Sequence, residues 1–223
     1  MMSKTLILVE GQTEETFVRD ILAQYLETFS VCIIPKLLVT KRTKSGMQFK
    51  GGIRSYEQVR SDLRRLLSDS SASVVTTMLD YYGLPDDFPE YKTRPTSSDP
   101  YAKVSHIERA FAQDINDPRF VPYLSLHEYE ALVFTDPACC NWIFEDAGVV
   151  RRLKAIRDSH KSPEHINDGR MTAPSKRIMS VFPTYQKPLH GPLATTAIGL
   201  DALRSACLHF CGWLSAMEKA GQE

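Results

Sequence analysis

Residues 5–18 read TLILVEGQTEETFV. Leu6 to Val9 form a short apolar run, the pattern of a strand buried on both faces. Glu10 and Gly11 interrupt it. From Glu14 the spacing turns helical, with Phe17, Ile21, Leu22 and Leu26 recurring three to four residues apart. A strand that stops at a carboxylate and hands over to a helix is the first half of a β-α-β unit, and its recurrence along the chain decides the fold class.

Outward from that stretch, Val31–Val39 (VCIIPKLLV) is the second strand, with Pro35 predicting an edge position or a bulge. A basic, glycine-containing loop, TKRTKSGMQFKGG, follows. A helix is expected from about Ser55 to Leu67, with Val59, Leu63, Leu66 and Leu67 on one side. Ser73–Leu79 is a third strand rich in β-branched residues. This β-α-β-α-β order predicts a parallel sheet with right-handed crossovers. A long proline-rich loop, a helix over Tyr101–Asp114 and a strand over Phe120–Leu124 add a further unit. HEYEALVF opens a helical stretch, and the chain from about Asp136 is mostly helical, closing on a helix over Ala197–Met217. The expectation is an α/β fold: a mostly parallel sheet flanked by helices over residues 1–135, and a mainly helical C-terminal extension over residues 136–223 packed on it.

The chain has 223 residues, with 27 Lys+Arg balancing 27 Asp+Glu, and 43% hydrophobic residues, enough for a real core. A zero net charge leaves local basic patches free to meet nucleic acid. The chain has no apolar run long enough to span a bilayer, and residues 1–9 lack a signal-peptide layout, so no membrane partner and a cytoplasmic location are expected. Five cysteines make no secreted disulfide framework. In CLHFC, helical spacing puts Cys207 and Cys211 on one face and His209 opposite, which reads as buried thiols rather than a zinc site. There is no GxxxxGK[ST] phosphate loop, so any ATP dependence needs another protein.

In an open parallel sheet, sites form beyond the carboxyl ends of the strands. Glu10 follows the first strand, Asp80 the third, and Glu128 and Glu130 the strand at Phe120–Leu124. Clustered carboxylates repel one another unless a cation is present. A hard divalent ion with oxygen ligands resolves this and supports phosphodiester chemistry. Gly11 suits a turn with positive φ or close approach of a ligand. Glu14 falls in the first helical turn, where it serves either the site or the helix dipole. On a helix, Glu128 and Glu130 would diverge by about 200°, so both reach one point only in an extended or turn conformation. Glu128, nearer the strand end, is the first choice of the two, and His127 is either a hydrogen-bonding neighbour or, as a lone histidine more often is, structural or exposed.

LILVEGQTEE and VVTTMLDYYG together resemble the Toprim domain, the metal-dependent module of topoisomerases, primases and OLD-family nucleases. VEGxxE, giving Glu10 and Glu14, resembles the OLD-type nucleases in particular. With RFVPYLSLHEYEALVF and IGLDALRSACLHFCGWL, the likeness extends over nearly the whole chain to small stand-alone bacterial Toprim-like proteins of unknown function. The resemblance implies a Toprim/Rossmann-like sheet, Mg²⁺ or Mn²⁺, and cleavage of DNA or RNA. It implies Glu10 as general acid/base or ligand, and Glu14 and Asp80 as ligands. It also implies an effector of a bacterial anti-phage defence system working with a partner ATPase. Toprim proteins carry Asp-x-Asp in the second motif, where this chain reads Asp80-Tyr81-Tyr82, so the remaining metal position either falls to Glu128 or Glu130 or is lost.

A nuclease also needs cations for the phosphate backbone. Lys41, Arg42, Lys44, Lys50 and Arg54, on or beside the basic loop with Gly46, Gly51 and Gly52, are candidates for nucleic-acid binding. Ser175, Lys176 and Arg177 open a helix after Pro174, a phosphate site of the helix N-terminal kind. Lys176 and Lys187 are rival candidates for the catalytic lysine that OLD-type nucleases supply from their C-terminal part. Tyr81 and Tyr82 serve either base stacking or packing. Two other readings stay open: a different metal-dependent phosphoryl-transfer enzyme, and a non-catalytic or regulatory binding subunit of an ATPase partner. A homo-oligomer is compatible with all three.

Overall fold

The computed structural model describes residues 2–38, 52–144, 146–167 and 171–221. Strands β1 (Ser3–Val9), β2 (Val31–Leu37), β3 (Val74–Asp80), β4 (Phe120–Val121) and β5 (Leu124–Ser125) form a five-stranded sheet in the order β2-β1-β3-β4, with β5 also paired to β3. Each pairing is parallel. The chain is α/β, with helices on both faces of the sheet and a helical C-terminal region.

The unbroken apolar run of β1 follows from this burial. Leu6 and Leu8 face one core, built with Val59 and Leu63 of α3 (Tyr56–Leu67) and Val104, Ile107 and Phe111 of α4 (Pro100–Ile115). Ile7 and Val9 face the other, where Phe17 of α1 (Gln12–Phe17) and Leu26 of α2 (Ala23–Glu27) meet Phe210, Leu214 and Met217. Each such side chain taken fully from water contributes about 1.5–3 kcal/mol. A π-helical insertion, Val18–Leu22, joins α1 to α2, and the consecutive Phe17 and Val18 are both fully buried there. Pro35 sits on the edge strand β2, in register with Ile7, without interrupting the ladder.

The strand expected over Phe120–Leu124 divides at Pro122, which has no amide to donate. Side chains take over the ladder there. The Thr76 hydroxyl donates to the Val121 carbonyl, and Thr77 Oγ1 bonds both the carbonyl and the amide of Tyr123.

Beyond the sheet lie a 3₁₀ segment (Tyr129–Phe134), α5 (Asn141–Phe144), α6 (Ala147–Asp158), α7 (Pro174–Val181) and α8 (Lys187–Ile198). HEYEALVF is thus a 3₁₀ turn rather than the start of an α-helix. Glu128 enters it extended, at φ −156° and ψ 166°. The single helix expected over Ala197–Met217 is broken into the end of α8, α9 (Leu200–Ala206) and α10 (Leu208–Lys219). Gly199, at φ +84°, turns the chain where a side chain would strain. Cys207 leaves helical geometry at φ −117° and ψ 87°. Glu164, almost fully buried, accepts from the amides of His209 and Phe210 and so caps α10. His209 stacks on Tyr123 and bonds Glu108, while Cys140 and Cys207 are buried. Among the described residues, no helix is long and apolar enough to cross a membrane.

Candidate functional site

Parallel pairing carries the ends of β1, β3 and β5 to one edge. Glu10 follows β1 directly, Asp80 closes β3, and Glu128 comes just after β5. The main chain of one segment holds the carboxylate of another. The Asp80 amide donates to Glu10 Oε2 at 3.2 Å, and the Tyr129 amide donates to Asp80 Oδ1 at 3.0 Å. Glu14, from the first turn of α1, folds back to accept the Gly11 amide at 2.8 Å.

Glycine matters here for space. Gly11 is extended, at φ −147°, so of the two roles the sequence offers, positive φ does not apply. A Cβ at Gly11 would lie 3.2 Å from Glu14 Oε2, and one at Gly52 would lie 3.2 Å from Glu10 Oε1. Both glycines leave room for a carboxylate.

A cavity of about 460 Å³ opens on this edge, lined by Glu10, Glu14, Asp80, Glu130, Lys187 and Gly52 among others. Its acids are mutually antagonistic. Burial, reinforced by Glu10, Glu14, Glu130 and Glu128, lifts Asp80 well above the ordinary carboxylate range. Burial raises Glu10 in the same direction, against the Asp80 amide and Lys187. Burial, helped by Glu130 and Glu10, pushes Glu14 to about 7. Glu130 also rises to about 7 on burial, against the pull of Lys187.

Lys187, at the start of α8, answers part of this charge. Its Nζ stands 2.8 Å from Glu128 Oε2 and 3.0 Å from Glu130 Oε2. Burial would pull its pKa down, but Glu130 and Glu128 outweigh burial and hold it as an ammonium. The extended Glu128 and the following turn bring both acids to one cation, the one arrangement in which i and i+2 carboxylates converge. Glu128 is further held by the Ser175 amide at 2.5 Å and its hydroxyl at 3.0 Å. The N-terminus of α7, expected to take a phosphate, therefore takes the Glu128 carboxylate. Glu130 Oε1 is buried with no hydrogen-bond partner.

The remaining expected residues fall elsewhere. Lys176 is exposed on α7, and Arg177 donates to the Thr172 carbonyl at 2.7 Å. Arg54 is exposed just ahead of α3. Lys41, Arg42, Lys44 and Lys50, with Gly46 and Gly51, lie outside the described residues.

Gly191 was not singled out by the sequence. A Cβ there would come within 3.1 Å of Thr13 Cγ2, 3.2 Å of the Tyr129 ring and 3.3 Å of the Tyr185 hydroxyl. Its lack of a side chain lets α8 lie against α1 and delivers Lys187. A glycine directly before Pro192, inside a helix, was the available signal.

Among the described residues, no group of three or more His, Cys, Asp or Glu is already arranged to hold a metal ion. The donor chemistry nevertheless fits a hard divalent cation: oxygen donors only, carboxyls destabilised in their charged form, and an orphaned buried oxygen on Glu130.

A protein-family model described as a domain of unknown function (DUF4276) matches residues 9–218, a span that takes in every site residue from Glu10 to Lys187. No curated protein and no solved structure matches the chain.

Proposed function

We propose that this chain, which belongs to the DUF4276 family, is a metal-dependent nuclease that hydrolyses phosphodiester bonds of DNA or RNA. The observation that carries the reading is the cavity at the carboxyl edge of the sheet, where acids from three chain segments face one lysine. Glu10, Asp80, Glu14 and Glu130 would hold Mg²⁺ or Mn²⁺, with Glu128 turned toward Ser175 and Lys187. When bound, the ion supplies Lewis acidity toward the phosphate and acidifies water.

The chain's own groups do the rest. Glu10 has its carboxyl raised by burial, which makes its anion a stronger base than an ordinary carboxylate and suits it to take a proton from water. The Lys187 ammonium lines the cavity and offers fixed positive charge to phosphate oxygens as negative charge develops on them. Glu128 and Ser175 keep that ammonium in place.

The test is incubation of the purified protein with plasmid DNA and structured RNA in Mg²⁺ or Mn²⁺. Glu10→Gln and Asp80→Asn should each reduce cutting by roughly a hundredfold or more. Cutting undiminished in both would end the assignment.

A second reading is a non-catalytic nucleic-acid-binding or regulatory subunit of a partner ATPase. Lys187 supports it, because an ammonium already neutralises two of the acids, and so does Tyr82, which stands where the resembled Toprim motif has a second acid. The absence of both cutting and calorimetric Mn²⁺ binding, with the ATPase present, would select it.

A further inference from the structure

Consecutive residues at the strand ends serve two different cavities. Asp80 lines the acidic one, while its neighbour Tyr81 lines a second cavity of about 390 Å³ together with Tyr82, Tyr91, Arg94, Lys103 and His127. His127 likewise precedes Glu128. Beyond the β3–β5 pairing, a main-chain hydrogen bond from the Tyr82 amide to the His127 carbonyl at 2.9 Å joins the two segments.

The lining has three kinds of recognition chemistry. Aromatic rings come first: Tyr81 lies with ring centroids 6.5 Å from Tyr91 and 6.3 Å from His127, the latter edge-on at 74°. Cations come second. The Arg94 guanidinium sits 3.9 Å above the Tyr91 ring and also donates to the Tyr91 carbonyl, which fixes its position and leaves further N–H groups to donate. Among the described residues, neither Arg94 nor Lys103, from the first turn of α4, forms an ion pair with a carboxylate. The third is a buried imidazole. His127 is only 8% exposed; its ring lies against the Glu164 main chain, and its buried Nε2 makes no hydrogen bond of standard geometry.

We propose that this cavity binds a nucleotide, with its base among Tyr81, Tyr82 and Tyr91 and beside the His127 ring, and its phosphate on Arg94 and Lys103. One small molecule then meets the rings with a planar face and the cations with an anion. The volume falls within the about 300–1,000 Å³ usual for ligand sites. The acidic cavity suits this ligand less without a metal ion, since Glu10, Glu14, Asp80 and Glu130 line it and Lys187 is already paired with Glu128 and Glu130. The nucleotide comes either free or as one unit of a strand. This binding needs no divalent ion and stands whether or not the acidic cavity cuts.

The test is calorimetry in EDTA, so that no cleavage contributes. AMP, CMP, GMP and UMP are titrated beside their nucleosides, inorganic phosphate and a short single-stranded oligonucleotide. At least one mononucleotide should bind saturably. Arg94→Gln and Lys103→Gln should each weaken it about tenfold or more, with melting temperatures near that of the wild type. Binding of the oligonucleotide alone, with the same dependence on Arg94 and Lys103, assigns the ligand to a strand and upholds the site. The proposal is overturned by any of three results: no saturable binding of either ligand, binding that both substitutions leave unchanged, or inorganic phosphate binding as tightly as the nucleotides.

Discussion

Lys187 Nζ lies 3.0 Å from Glu130 Oε2, on a carboxylate whose other oxygen is buried without a partner. The lysine thus stands where a metal ion would otherwise be the natural counter-charge. Replacing it with Met should cost about 2 kcal/mol, less than for a fully buried pair because its side chain is 40% exposed. Added Mg²⁺ or Mn²⁺ should then raise the melting temperature of Lys187→Met more than that of the wild type. Equal responses would mean that lysine and metal do not share these acids.

Asp80→Asn should stabilise the metal-free protein by about 1 kcal/mol while abolishing activity, the usual relation at a strained site. Its charged form is opposed by burial and four neighbouring acids, and Asn keeps an oxygen for the Tyr129 amide. Thermal melts in EDTA measure this. A lower melting temperature for the variant would show that Asp80 is favourably placed as an anion.

Stability should fall as pH rises from about 5 to about 7.5. Glu14 and Glu130 are both lifted to about 7, so across this window the folded protein retains protons that the unfolded chain has released. Stability is therefore fullest at the acid end and is lost as pH passes through 7. A drop in melting temperature of about 5 °C or more is expected in EDTA. Glu14→Gln combined with Glu130→Gln should make it shallower, leaving the part due to Asp80 and Glu10, and Mn²⁺ should oppose it more strongly at pH 7.5 than at pH 5.5. A flat wild-type profile would contradict the raised values.

Gly191→Val should destabilise the fold by about 1–3 kcal/mol, since Thr13, Tyr129 and Tyr185 wall three sides of the position. Any protein that still folds should lose cutting out of proportion to its stability, because α8 carries Lys187. Urea titration together with the plasmid assay separates the two effects.

The sheet was legible because its strands are apolar runs closed by turn residues, and because Glu10 and Asp80 sit at the ends of runs whose direction the β-α-β order fixes. The convergence of Glu128 and Glu130 was legible as a condition, an extended or turn backbone, and the extended Glu128 meets it. Choosing between Lys176 and Lys187 was not. Both begin helices after proline-containing loops, and which one reaches the edge depends on how α8 packs on α1 through Gly191, a contact across 178 positions whose local mark, a glycine before a proline, does not name its partner. The broken C-terminal helix was hidden because α9 and α10 keep a helical period, so only Gly199 marked a boundary. Nothing in the strand pattern of Ser73–Leu79 marks Thr77, whose hydroxyl bonds the Tyr123 carbonyl and amide where the ladder breaks at Pro122.

The distance along the chain between the acids and their lysine sets an order of assembly. Lys187 follows Glu130 by 57 positions and Glu128 by 59. As the chain leaves the ribosome, every carboxylate of the edge emerges before the only ammonium that lines their cavity among the described residues, and before Ser175. Until α8 docks, Glu128 and Glu130 lack the ammonium that meets both of them in the folded protein.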